Sequence, residues 1–299
     1  MSADRASTGA SPDGGPAGPI SVVVMTRDRW PDLQRTLPLH DVPVVLVDNG
    51  STDGTPELVR THFPHVDVVA LAENRGSVAR NIGVEHARTP FVAFADDDSW
   101  WAADALPTAL QHFERHPRLG VLAARVLVGV DERPDEICAL MARSPLGVEP
   151  DLPGPSVLGF LACGAVVRVE AFLAAGGFDD LIFFMGEEER LALDLATSGW
   201  GLSYVDDVVA HHHPSPARDS VARQARAARN RLLTALLRRP WPVVLRAVGE
   251  DLVSGRAGWM AVGQALRRLP TALARRAVVP PAVESARRLL DDQTATGSA

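Results

Sequence analysis

Short β-branched runs alternate with helical stretches through the first third of the chain. Ile20–Met25, Val42–Val47, Val66–Ala70 and Phe91–Ala95 are apolar and end in turn or polar residues, as strands buried on both faces do. Between them the sequence predicts helices over Asp32–Leu39, entered through Pro31, over Pro56–His62, opened by Thr55, over Ser77–Ala87 after Gly76, and over Asp104–His116. That alternation predicts an α/β domain with a parallel, doubly wound sheet flanked by helices. Ligands on such sheets sit beyond the carboxyl ends of the strands, where Asp48 and Asp96–Asp98 fall.

Further along, Val121–Val130, Ala165–Arg168 and Gly201–Val205 read as strands. The stretch 144–156 carries prolines at 145, 150, 153 and 155 and reads as an irregular crossing segment. Glu170–Ala175 reads as a helix closed by Gly176-Gly177, and Glu187–Thr197 as one closed by Ser198-Gly199. From Ser220 to Arg239 an Arg-rich helical pattern runs to Pro240, with more helix to about Leu290, interrupted at Pro270 and Pro280-Pro281. The expected organisation is a disordered leader over 1–18, a catalytic domain over 19–217 and an Arg-rich helical segment over 218–299.

Charge sharpens that division. The net charge is −7, yet 15 arginines face four acidic residues between Arg218 and Arg288, and no lysine occurs anywhere. An acidic body with a basic C-terminal third suits contact with an anion, either donor phosphates or an anionic membrane surface; solvated helix faces are the plain alternative. Nucleic acid is not expected as a partner, because aromatics are only 5 % and the main domain is acidic. Two cysteines, no signal-peptide h-region and no charge-free stretch of membrane-spanning length point to a cytoplasmic protein, peripheral to the membrane at most.

The chemistry gathers in a few places. Asp96-Asp97-Asp98 follows a buried strand, and Asp96 and Asp98 share a side of an extended backbone. Such a pair suits a hard divalent ion, Mg²⁺ or Mn²⁺, that also takes phosphate oxygens, whereas a solvated turn with caps is the simpler reading. Asp48 can accept hydrogen bonds from a nucleoside or close an Asx turn. Asn74-Arg75-Gly76 precedes a helix N-terminus able to meet an anion, and Arg80 can neutralise phosphate. No GxGxxG follows the first strand, and neither a P-loop nor a GxSxG elbow is present.

Val22–Thr26, Val47–Thr55, Asn74-Arg75-Gly76, Ala79-Arg80-Asn81, Phe94–Asp98, Gly176–Asp179, Gly186–Glu189 and Gly199-Trp200 together, in this order, resemble family 2 glycosyltransferases over residues 20–213. The resemblance implies a GT-A fold with a mostly parallel sheet, a nucleotide-sugar donor (UDP-, GDP- or dTDP-linked), a DxD metal motif and inversion at the anomeric carbon. It implies nucleotide and donor contacts at Thr26, Arg27, Asp48, Asn74, Gly76, Arg80, Asp96 and Asp97, and metal contacts at Asp96 and Asp98. Cys163 and Gly164 would form part of the sugar or acceptor wall. A general base is expected in the acidic pair after Gly186. Glu188 lies above Ala192 and Leu195 on the apolar stripe and leads, with Glu187 second and Glu189 third. Relatives often carry Asp as the base and another Asp two positions on; here that position is Arg190, able to pair with Asp194. In His211-His212-His213, the alternation of an extended run puts His211 and His213 on one side toward the metal or diphosphate, with His212 facing away. The implied reaction is hexosyl or deoxyhexosyl transfer to a hydroxyl of a glycan, a lipid-linked glycan or a small molecule. A sugar-phosphate nucleotidyltransferase is the alternative enzyme, disfavoured by the lack of glycine in Met25–Arg29. A non-catalytic carbohydrate-binding module is the alternative outside catalysis.

Overall fold

The computed structural model describes residues 18–214 and 221–297. Residues 1–17 of the leader expected over 1–18, and the expected boundary at 217/218, lie outside these residues. The strands are β1 (Ile20–Thr26), β2 (Val44–Asp48), β3 (Asp67–Ala70), β4 (Phe91–Asp96), β5 (Ser99–Trp101), β6 (Leu119–Val128), β7 (Arg133–Pro134), β8 (Ala165–Arg168) and β9 (Gly201–His212). All nine form one sheet, eight of them in the order β3-β2-β1-β4-β8-β6-β9-β5 and β7 joined through β6.

The parallel reading holds for β3-β2-β1-β4 and for β6 beside β9. It fails in the middle, where β8 enters antiparallel to both β4 and β6, and at the edge, where β5 is antiparallel to β9. The sheet is therefore mixed. The cause is the irregular crossing before β8: residues 144–156 hold four prolines, make no helix and bring the chain back across the sheet. β9 runs seven residues beyond the expected Val205, past a register shift opposite Ala124 and Arg125.

Helices α1 (Trp30–Thr36), α2 (Thr55–His62), α3 (Val78–His86), α4 (Ala105–Arg115), α5 (Glu136–Ala142), α6 (Val169–Ala174) and α7 (Glu187–Thr197) cover the sheet. The hydrophobic pattern predicts each of these except α5. The first core cluster joins β1, β2, β4, β6 and β8 to the inner faces of these helices, with Val22, Val23, Phe94, Leu122 and Val166 fully buried. Gly83 of α3 permits close packing, since a Cβ there would run into Val23 on β1.

The C-terminal helices are α8 (Val221–Arg238), α9 (Trp241–Val253), α10 (Arg256–Leu266), α11 (Leu269–Ala274) and α12 (Pro281–Gly297). Pro270 and Pro281 open α11 and α12 rather than merely interrupting helix, because a missing N–H costs nothing in the first turn. A second apolar cluster packs Leu232, Leu233, Leu236 and Leu237 of α8 on Leu181 and Ile182. At least three of the five arginines of α8 bond to other parts of the protein, Arg231 while remaining exposed. Arg229 donates to the Ile182 carbonyl at 3.3 Å, Arg231 pairs with Asp251 and Arg238 with Asp194. Among the described residues, no helix is long and apolar enough to cross a membrane.

Candidate functional site

The carboxyl ends of β1 and β4 border a cleft of about 630 Å³, with Thr26 and Asp96–Asp98 in its wall. Arg27, Arg29, Asn49, Asn74, Gly76, Phe183, Phe184 and His212 complete much of the rest, and α8 contributes Arg223 and Arg226.

The loop before α3 is shaped by Asn49. Its amide donates to the Gly76 carbonyl at 3.0 Å, and its carbonyl oxygen accepts from Arg75 N at 2.7 Å. Gly76 sits at φ +61°, where a Cβ would collide with the Phe183 carbonyl. Asp48 does not border the cleft. It is 1 % exposed, and Ser51 occupies both its oxygens through backbone and hydroxyl. The turn-closing reading of Asp48 therefore describes its place, and Asn49 faces the cleft instead.

The three aspartates have different surroundings. Asp96 accepts from Arg80 at 2.6 Å. Asp97 accepts from Thr26 at 3.2 Å and lies 3.5 Å from Arg29. Burial, with Asp96 and Asp98 alongside, pushes the Asp97 carboxyl up to about 7 against the pull of Arg29. Asp98 lies 3.3 Å from His212 Nε2 and 3.8 Å from Arg29.

Arg80 was expected beside the donor; the structure instead puts it under the floor of the site. It is 2 % exposed and bridges Asp96 to Glu187, the latter at 3.3 Å. One buried guanidinium thus ties the aspartate turn after β4 to the acidic N-terminus of α7. Glu187 is itself 2 % exposed, and its second oxygen has no hydrogen-bond partner among the described residues. Burial raises its carboxyl, with Arg80 opposing. Glu188 is pushed up to about 8, by burial first and then by the neighbouring Glu187. Glu189 pairs with Arg287 of α12 at 3.0 Å. Arg190 makes its expected pair with Asp194 at 2.8 Å and a second with Asp179 at 3.0 Å.

The histidine expectation is reversed. β9 pairs with β5 so that His212 lies opposite Ser99 and His211 opposite Trp100. Cross-strand partners share a face. His211 therefore stacks on Trp100 at 5.1 Å and lies 3.0 Å from Glu132, and His213 also packs against Trp100. His212 takes the face toward the aspartates. Burial pulls its pKa down, but Asp98 and Asp96 outweigh this and hold it above the usual value. Cys163 lies beside the aspartate turn: its sulfur is within 4.8 Å of ligand atoms of Asp96 and His212. Burial holds that thiol well above its ordinary pKa. Gly164 leaves room for Val126, which a Cβ would strike.

Asp96, Cys163 and His212 bring one ligand atom each within 4.8 Å of one another, with Asp98 3.3 Å from His212, a set that suits a divalent cation; such a charge would also relieve the like-charge contribution of Asp96 and Asp98 that adds to burial in raising Asp97. Of the residues that sequence reasoning did not select, Asn49 stands within a quoted motif stretch and Arg29 three positions beyond one. His212, Phe183 and Phe184 reach the cleft only through tertiary packing, and so do Arg223 and Arg226, which the Arg-rich helical pattern had offered to donor phosphates or to a membrane.

This arrangement can be set beside known proteins. The profile of Glycosyl transferase family 2 matches residues 21–174. The pre-mycofactocin glycosyltransferase of Mycobacterium tuberculosis is 31 % identical over 223 residues, covering 70 % of this chain and 47 % of that protein. The chain therefore spans about half the length of that relative. The N-acetylglucosaminyl-diphospho-decaprenol L-rhamnosyltransferase of the same species is 28 % identical over 246 residues, covering 69 % of this chain and 80 % of that one. In three dimensions, the mannosyltransferase PcManGT from Pyrobaculum calidifontis, solved with GDP-Man and Mn2+, superposes with a TM-score of 0.57 at 21 % identity, covering 96 % of this chain and 88 % of that one. S. aureus TarS with UDP-GlcNAc gives 0.58 at 17 % identity, covering 92 % and 88 %. The fold is that of these GT-A transferases, a central mixed sheet between helices. With the profile matching more than half of the residues, the chain belongs to glycosyl transferase family 2.

Proposed function

We propose that the chain transfers a sugar from a nucleoside-diphosphate donor to an acceptor hydroxyl, with inversion and with Glu188 as general base. The observation that carries this reading is the Arg80 bridge, which ties the aspartate turn of the donor cleft to the start of the helix whose Glu188 lines an adjoining cavity, the two sharing Arg223. The neighbours solved with GDP-Man and UDP-GlcNAc support a nucleotide-sugar donor. Thr26, Arg27, Asn49 and Asn74 line the part of the cleft that suits the nucleoside. Asp96, Asp98 and His212 would hold a divalent cation, Mn²⁺ or Mg²⁺, which when bound offsets the charge of the diphosphate.

The protein's own groups then have defined tasks. Glu188 takes the acceptor hydroxyl's proton as its oxygen attacks the anomeric carbon. A carboxyl titrating at about 8 is a strong enough base for that task and still partly ionised at neutral pH. Arg223 and Arg226 face the cleft and meet negative charge accumulating on the leaving diphosphate. Glu187, locked to Arg80, keeps a like charge beside Glu188 and sustains its basicity.

The test is Glu188→Gln. Thermal shifts are measured with UDP, GDP and dTDP, with and without Mn²⁺, alongside donor turnover. A ligand at about 100 times its Kd stabilises by about 2.7 kcal/mol. The variant is expected to keep the wild-type shift and lose transfer; normal turnover would place the base elsewhere.

A further inference from the structure

Glu188 lines a second cavity, of about 590 Å³, which shares Arg223 with the donor cleft. Its size falls within the range of about 300–1,000 Å³ typical of small-molecule sites. The wall is built from three places: Ile137, Leu140 and Met141 of α5, Leu158 and Phe160 of the crossing chain, and Leu290 of α12. Polar side chains in this wall are engaged with the protein. Glu189 pairs with Arg287 at 3.0 Å, the Ser144 hydroxyl donates to the Ser156 carbonyl, and the Gln293 amide donates to the carbonyls of Leu140 and Arg143. A hydroxyl-rich oligosaccharide would face this surface with its donors and acceptors unpaired, which is costly. An apolar body would gain from it.

We propose that the acceptor is an amphiphilic alcohol whose hydroxyl meets Glu188 and whose apolar body fills this second cavity. The inference rests on the transferase reading above and names its acceptor class. In the step, the acceptor O–H proton passes to the Glu188 carboxylate while the acceptor oxygen forms a bond to the donor's anomeric carbon. The bond from that carbon to the phosphate oxygen breaks, and the nucleoside diphosphate leaves with its electron pair.

The full chain with Mn²⁺ is given UDP-, GDP- and dTDP-sugars, with n-alkyl β-D-glucosides from methyl to octyl or 2-naphthyl β-D-glucoside as acceptor probes. Nucleoside diphosphate release and glycosylated product are measured together. The kcat/KM for transfer is expected to rise with alkyl length, by up to about fourfold per methylene buried. Ile137 is 41 % exposed at the cavity wall, so Ile137→Glu is tolerated by the fold. Ile137→Glu and Leu140→Glu are each expected to cut the gain at octyl by about tenfold, the effect of 1.4 kcal/mol, with nucleotide thermal shift and donor hydrolysis retained as proof of folding. Preference for octyl identifies a lipid acceptor, and preference for naphthyl a compact small-molecule acceptor; both support the amphiphile. Donor hydrolysis with no effect of alkyl length, or an octyl gain that survives in both variants, overturns this inference alone. Failure of the wild-type protein to bind or turn over any donor overturns the transferase reading and this inference with it.

Discussion

Replacing Arg80 with Met tests whether one buried cation holds the site together. Arg80 and Glu187 are each 2 % exposed, and Asp96 accepts from the same guanidinium at 2.6 Å. Removing one partner of a buried pair leaves an uncompensated charge, at a cost of about 3–5 kcal/mol. The pH dependence carries the sharper prediction. Burial already raises the Glu187 carboxyl, and Arg80 is the group that opposes this. Without Arg80 its folded-state value rises further above the unfolded one, so the folded variant binds a proton that the unfolded chain has released. Stability of Arg80→Met is then greatest at acid pH and falls as pH climbs from the unfolded value toward the raised folded one, by about 1.4 kcal/mol per pH unit within that window. Urea denaturation followed by tryptophan fluorescence at pH 5 and pH 8 measures this. The deficit relative to wild type should be about 3–5 kcal/mol at the higher pH and smaller by at least about 1.4 kcal/mol at the lower. Arg80→Met with Glu187→Gln should recover part of the loss, because the stranded charge is gone. A deficit that is the same at both pH values, or no recovery in the double variant, would refute the bridging role.

Other outcomes follow from the same geometry. With Glu188 held at about 8 and required in its ionised form, log kcat should rise with unit slope from pH 6 and level off near that value; a flat profile across this range removes Glu188 as the base. His212→Ala should weaken Mn²⁺-dependent nucleotide binding by about tenfold or more, whereas His211→Ala should leave it unchanged, as read by titration calorimetry; equal effects would contradict the β5–β9 register. The Asn230 amide donates to the carbonyls of Phe184 and Met185 at 2.7 Å each, and Phe183 and Met185 hold positive φ. Asn230→Ala should therefore lower stability by about 2–4 kcal/mol and raise KM for the donor, since the buried Asn230 amide no longer ties the two partly buried carbonyls of the loop that lines the cleft; a loss below about 1 kcal/mol in urea denaturation would discount this clamp.

The division between sequence and structure follows the range of the interactions involved. Period-two and period-3.6 patterning is local, so β1, β2, β4, β8 and helices α2, α3 and α7 were legible with ends correct to a few residues. The same local grammar placed Asp96–Asp98 after a buried strand and Glu187–Glu189 at a helix start, but the most buried of the three acids is Glu187 and not the favoured Glu188. What β8 pairs with is not local. Its antiparallel entry depends on the path of residues 144–156, and strand direction leaves no trace in a run such as Ala-Val-Val-Arg. Extending His211–His213 as a strand correctly predicted alternation but not which face meets the aspartates; the Ser99–His212 register settled that. Asp48 illustrates competition at short range, where a neighbouring serine captured a carboxylate that sequence offered to a ligand. Arg80 illustrates the long range. Its position between two carboxylates, one of them 107 residues away in sequence, exists only once α3, β4 and α7 have packed, because burial of that charge is tolerable only where both partners arrive together.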